Sequence, residues 1–355
     1  TPFGTKRMID QSGCNRDFTC VEGFCPAFVT LEGATPRRKA GRETFDVSVL
    51  PQPASPVLDQ PYGVLIAGVG GTGVVTVGQL IGMAAHLEGK GVSILDFTGM
   101  AQKGGSVLTH LRITAKPGEQ VSARIPLAGA GLVIAGDMVV GAGDEALSVM
   151  RPDTTYSVIN SNIAPVAESV SNPDFHLDDA ELARRIQHAS GKGHAHFVAA
   201  KTTSESLVGD SIAGNVFLLG YAFQTGGLPL GEAALIAAIE LNGAAVESNK
   251  AAFAWGRLAA HDPAAIAAYT GKSDDREQED LSLDQQITRY IDELTRYQDV
   301  AYADQYRAYV RSVQSAEENV TAGSAGLTQA VAANLFHLMA FKDEYEVARL
   351  HTDGK

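Results

Sequence analysis

The chain has 355 residues, enough for two or three domains and a sizeable buried core. Hydrophobic residues make up 45% and charged residues 19%, the balance of an ordinary soluble globular protein. Lys and Arg number 28 against 41 Asp and Glu, a net charge of −13 that argues against general nucleic-acid binding through a basic face.

Residues 1–60 read as irregular. They hold all three cysteines, the basic run Arg37-Arg38-Lys39, and a proline-rich stretch through Pro51, Pro53, Pro56 and Pro61 that reads as a semi-rigid connector. Cys14, Cys20 and Cys25, the last followed by Pro26, lie close enough for their thiolates to hold a metal or an iron–sulfur cluster. Their spacing matches neither a ferredoxin run nor a C-x-x-C zinc pair, so buried free thiols are the other reading. Three is an odd number, which argues against a disulfide framework and for a reducing, cytoplasmic compartment. No secretory signal opens the chain, and no apolar run approaches the roughly 18 residues of a membrane-spanning helix. The chain starts at Thr1, without a methionine and in mid-pattern, so an interior piece of a longer protein is expected.

Residues 61–272 alternate strand and helix signals. Val64–Ala67 is a short apolar strand that breaks into a loop carrying Gly68, Gly70, Gly71, Thr72 and Gly73. A helical pattern follows, with Val74, Val77, Leu80, Ile81, Ala84 and Leu87 on one face. Strand, glycine loop and helix in that order set backbone N–H groups at a positively polarised helix end, which suits a phosphate or another anion. Gly68, Gly70 and Gly73 also satisfy G-x-G-x-x-G, and Asp96 stands 23 residues further on, at the end of the next strand. Asp96 therefore reads either as a ribose-binding acid or as the cap of a turn. After it, Thr98–Ser106 forms a second glycine-rich loop that offers Gln102, Lys103, Gly104 and Gly105. Two such loops on one cleft suit a polyanion or the edge of a docked domain; the plainer reading is a tight loop with a solvated lysine.

Further strands are expected at Val92–Phe97, Ser106–Ile113, Leu132–Gly136, Tyr156–Asn160 and Ala195–Ala199, with helices near 179–189, 212–224, 232–241 and 244–257. This alternation predicts an α/β fold: a three-layer, Rossmann-like, doubly wound and mostly parallel sheet, with ligands gathering at the C-terminal strand ends. His194 and His196 alternate on a strand and share a face, but with no carboxylate nearby ordinary polar contacts are favoured over a metal pair. No nucleophile–base motif or phosphate-binding G-x-x-x-x-G-K-[ST] occurs, and the catalytic residues stay unknown.

Residues 273–355 open on an acidic link and then read as two amphipathic helices. Leu283, Ile287, Ile291 and Leu294 begin a stripe that Tyr297, Tyr302, Tyr306 and Tyr309 continue; a second helix starts near Thr328. The tyrosines read as a packing face against another domain.

Several segments, GVLIAGVGGTGVVTVGQLIGMAA, TGMAQKGGSVLTHLRI, IAGNVFLLGYAFQTGGLPL and EAALIAAIELNGAAVESNKAAFAWGR, resemble the gamma domain of the 2-oxoacid:ferredoxin oxidoreductase family. CNRDFTC with GFCPAFVTLEG resembles the end of the thiamine-diphosphate-binding part in the indolepyruvate-type members, and FKDEYEVARLHTDGK their C-terminal extension. The resemblance covers essentially the whole chain. It implies oxidative decarboxylation of a 2-oxoacid such as indolepyruvate to an acyl-CoA, with thiamine diphosphate and Mg as cofactor, coenzyme A as cosubstrate and iron–sulfur centres passing electrons to ferredoxin. It further implies that Gly68, Gly70, Gly71, Thr72, Gly73, Gln102, Lys103, Gly104 and Gly105 face a ligand, that Cys14, Cys20 and Cys25 are cluster candidates, and that the assembly is a homodimer with no nucleic-acid or membrane partner. The chain departs from the family in lacking a metal–diphosphate motif and an eight-cysteine module. The remaining domains of the enzyme are therefore expected to supply the thiamine site. A free-standing NAD- or FAD-dependent oxidoreductase and a non-catalytic assembly module are the alternatives.

Overall fold

The computed structural model describes residues 19–22, 32–33, 45, 47–99, 105–163, 166, 171–172, 175, 177–270, 281–341 and 343–352. These fall into two compact units, one within residues 45–270 and one that takes in residues 281–352 with the short helix α1 (Thr19–Glu22).

The first unit is built on a six-stranded sheet. Its strands are β1 (Tyr62–Val69), β2 (Gly91–Thr98), β3 (Ser106–Thr114), β4 (Ala130–Ala135), β5 (Tyr156–Asn160) and β6 (Ala195–Val198), in the spatial order β2-β3-β1-β4-β5-β6. β1, β4, β5 and β6 run parallel, and β3 is antiparallel to both of its neighbours, β1 and β2. The sheet is mixed, then, with a single reversed strand.

Alternation along the strands supplies two apolar faces. Val64, Ile66, Leu111, Ile113, Leu132, Ile134 and Val158 pack on one side beneath α2 (Val74–Leu87), α7 (Gly214–Gln224) and α9 (Val246–His261). Leu65, Ala67, Leu108, Val133 and Ile159 pack on the other beneath α3 (Met138–Gly141), α4 (Asp144–Ser148) and α5 (Asp179–Ser190). The remaining helices of the unit are α6 (Ala200–Val208), α8 (Glu232–Asn242) and α10 (Pro263–Thr270). Helices on both faces complete the three layers. α7 and α9 cross at glycines: a Cβ on Gly220 would enter the Phe253 carbonyl, and one on Gly256 the Phe217 carbonyl.

The proline-rich stretch docks on this unit instead of spanning free space. Leu50 is buried in the core, Gln224 Nε2 donates to the Pro51 carbonyl at 2.8 Å, and Gln52 Nε2 donates to Glu232 at 2.8 Å. Phe45 packs on Trp255 with ring centroids 4.7 Å apart. Phe45 and Leu50, just before the stretch, and Leu58 within it pack on the core.

The second unit holds α11 (Leu283–Tyr297), α12 (Val300–Val320), α13 (Gly326–Met339) and α14 (Glu344–Thr352), twice the helix count read from the sequence. The tyrosine stripe runs across a break: the Asp299 side chain accepts from the Tyr302 amide at 2.8 Å and starts a new helix. Two tyrosines of the stripe, Tyr302 and Tyr306, pack within their own unit, while Tyr309 stays exposed. Tyr306 is fully buried and donates to the Ala332 carbonyl at 2.9 Å; Tyr302 donates to the Met339 carbonyl at 3.0 Å; Tyr290 stacks on Phe336 at 4.3 Å. No described helix is long and apolar enough to cross a membrane.

Candidate functional site

β1 delivers the chain to the C-terminal edge of the sheet, and α2 leaves from it. Between them the backbone turns through Gly71 at φ +79° and Gly73 at φ +97°. Both angles lie in the left-handed region that glycine adopts without strain. Gly73 is the N-cap of α2 and offers no side chain, so the amides of the first helical turn have no cap of their own sequence. That geometry suits an external anion.

The two glycine-rich turns meet. The Gly70 N–H donates to the Gly105 carbonyl at 2.9 Å, and Val69 pairs with Ser106 at the edge of the sheet. The antiparallel β3 produces this: it starts where β1 ends, so Gly105, just before β3, lies against Gly70, just after β1. Gln102, Lys103 and Gly104 fall outside the described residues, as do Cys14, Cys25 and the Cys20 side chain.

The glycines divide by task. Gly68 is buried within β1, where a Cβ would stand 2.6 Å from the Val74 Cγ2, so its lack of a side chain lets strand and helix pack closely. Gly70 is buried and its amide serves Gly105. Thr72 turns its hydroxyl inward to the Val69 carbonyl at 2.7 Å. The outward-facing part of the turn is Gly71–Gly73.

Two asparagines brace this edge, and sequence reading had singled out neither. Asn215, at the start of α7, donates from Nδ2 to the Thr72 carbonyl at 2.7 Å. Its Oδ1 crowds the place a Cβ would take on Gly136, the residue after β4. Asn160, at the end of β5, donates to the Gly136 carbonyl at 3.1 Å and accepts from the Ala200 amide at 3.1 Å. The polar residue in Ile-Ala-Gly-Asn-Val-Phe, at the mouth of an apolar helix, was the available signal.

Asp96 stands apart from the turn. It accepts from the Thr109 hydroxyl at 2.5 Å, and β3 lies between its strand and β1. Two strand spacings put it roughly 10 Å to the side. Its register, Asp96 to Thr109 to Ile66, also leaves it three residues short of the end of β1. A ribose bound at the glycine turn would not reach it. His194 and His196 pack on Tyr156 and Tyr221, with ring centroids 4.9 and 5.7 Å apart; burial, then His194, holds His196 below the usual histidine range. Among the described residues no group of three His, Cys, Asp or Glu could hold a metal ion.

Residues 63–259, more than half of the chain, match the family described as pyruvate ferredoxin/flavodoxin oxidoreductase, and residues 283–355 match a family of unknown function, DUF6537. The chain is 30% identical over 207 residues to the indolepyruvate oxidoreductase subunit IorB of Thermococcus kodakarensis, covering 57% of this chain and 96% of that one. It is 31% identical over 207 residues to the subunit of the same name from Pyrococcus horikoshii, with 57% and 96% covered. A solved gamma subunit of a keto/oxoacid ferredoxin oxidoreductase from Geobacter sulfurreducens aligns at a TM-score of 0.40 and 17% identity, over 56% of this chain and 98% of that one.

Proposed function

The chain belongs to the pyruvate ferredoxin/flavodoxin oxidoreductase family, and from that premise we propose that it is the gamma region of an indolepyruvate-type 2-oxoacid:ferredoxin oxidoreductase. It works with the other domains or subunits of that enzyme, in a homodimeric cytoplasmic assembly. The reaction is oxidative decarboxylation of the 2-oxoacid to an acyl-CoA, with the electrons passed to ferredoxin.

The observation that carries this reading is the family match across residues 63–259, which includes the paired turns joined by Gly70 and Gly105. The donor set at the turn suits a phosphate of coenzyme A: a left-handed Gly73, a first helical turn without a side-chain cap, and an outward Gly71. Coenzyme A, when bound, supplies the thiol that accepts the acyl group. The amides of Gly71 and of residues 73–76 orient an anionic end of it, while the Thr72 amide is taken by the Val69 carbonyl. Asn215 holds the turn in shape through Thr72. Gln102, Lys103 and Gly104 add an amide and a cation to the same ligand. Thiamine diphosphate and its magnesium belong to the other domains, and Cys14, Cys20 and Cys25 are the candidate ligands of an iron–sulfur cluster.

The test is complementation. Assembled with the remaining domains, the chain supports indolepyruvate- and coenzyme A-dependent reduction of ferredoxin; by itself it shows none. Tight NADH binding by the isolated chain, lost on Asp96→Ala, would overturn the reading in favour of a dinucleotide enzyme.

A further inference from the structure

A cavity of about 370 Å³ opens on the sheet face opposite α2, away from the glycine turns. Its floor is Phe97 of β2 with His110 and Arg112 of β3; its wall is the 122–127 segment, with Arg124 and Ile125, and one side is closed by Glu145 of α4. All of it lies within one compact unit.

The polar groups are arranged as donors. The Arg112 Nε is buried with no hydrogen-bond partner, and among the described residues its guanidinium makes only a 3.4 Å contact from Nη2 to the Pro61 carbonyl. No described carboxylate pairs with it, and burial lowers its pKa. His110 is 4% exposed and its Nδ1 accepts from the Ile125 amide at 3.3 Å, so the neutral ring carries its proton on Nε2. Burial, then Arg124, holds His110 below its usual range, against an opposing pull from Glu145. The Arg124 guanidinium lies 5.7 Å above the Phe97 ring. Two guanidinia and an imidazole N–H thus outweigh a single carboxylate among the groups that line the cavity. Ile125, Leu127 and Val149 give the rest of the lining an apolar character.

We propose that this cavity is a binding site for a small organic acid, whose carboxylate bridges Arg112 and Arg124 and whose short apolar body rests against Ile125, Leu127 and Val149. The volume is at the small end of ligand cavities, which fits a compact acid and not a nucleotide. The site is separate from the glycine turns and does not rest on the oxidoreductase reading.

The experiment is calorimetric titration of the full chain with 3-methylbutanoate, with its neutral counterpart 3-methylbutanol, and with inorganic phosphate. The acid binds, the alcohol does not, and phosphate binds more weakly. Arg112→Gln weakens the acid by about tenfold or more, as loss of a charged hydrogen-bond donor does. Arg124→Gln, at an exposed position that leaves the core intact, does the same with an unchanged melting temperature. Absence of binding by the acid, equal binding of acid and alcohol, stronger binding of phosphate than of the acid, or undiminished affinity in a folded Arg124→Gln would each overturn the proposal.

Discussion

Asn215 reaches from the first turn of its helix to the Thr72 carbonyl, 2.7 Å away and 143 positions earlier in the chain. The glycine turn is therefore held from outside, by a residue of another element. Asn215→Ala removes that bond and leaves the carbonyl without its partner. A loss of about 1–2 kcal/mol in denaturant unfolding is expected, without a change in the slope.

Gly256→Ala should be strongly destabilising. The added methyl would enter the Phe217 carbonyl where α7 and α9 cross, and two helix backbones would have to separate. Overpacking of this kind costs about 3 kcal/mol. Gly99→Ala, where a Cβ would meet nothing within 4 Å, is the control and should leave the melting temperature unchanged.

Asp96→Ala tests the dinucleotide alternative. The change removes the acceptor of the Thr109 hydroxyl and should cost about 1 kcal/mol of stability. Fluorescence titration with NADH should show no binding before or after it.

These positions also mark how far the sequence could be read. Each strand was legible within a few residues, because periodicity and apolar runs are local. Strand order was not. Nothing within Ser106–Thr114 says that it pairs antiparallel between β1 and β2, yet that insertion carries Asp96 away from the turn and brings Gly105 to Gly70. Asn215 and Asn160 were illegible for the same reason: their partners are set by tertiary packing. The cavity beside His110 depends on which strand face Arg112 takes, and that follows from the register with β1 and β2. In the helical unit the run of tyrosines continuing the apolar stripe concealed the break that Asp299 caps.

Glu317 makes the helical unit sensitive to acid. Its carboxylate accepts from the Thr328 hydroxyl at 2.6 Å and amide at 2.7 Å, from the Leu327 amide at 2.9 Å and from Ser324 at 3.0 Å. The Thr328 hydroxyl bond, with the other donors behind it, holds the carboxyl down at about 2, against an ordinary value of 4.5. The folded form thus prefers the charged state. Its stabilising effect is complete above about pH 4.5 and is lost as pH falls toward 2. Glu317→Gln should be less stable than the parent at pH 7, and the difference should shrink by pH 3, as read from denaturant midpoints. A gap that is constant with pH would contradict this.

The most direct measurement is the coenzyme A dependence of indolepyruvate-driven ferredoxin reduction by the assembled enzyme carrying Gly73→Ala. The substitution forces a side chain into φ +97° at the turn while its Cβ meets only Asn215 Nδ2, 3.7 Å away. KM for coenzyme A is predicted to rise about tenfold, the effect of one or two displaced amide donors, with KM for indolepyruvate unchanged. A folded variant with unaltered KM for coenzyme A would contradict a ligand role for the paired turns.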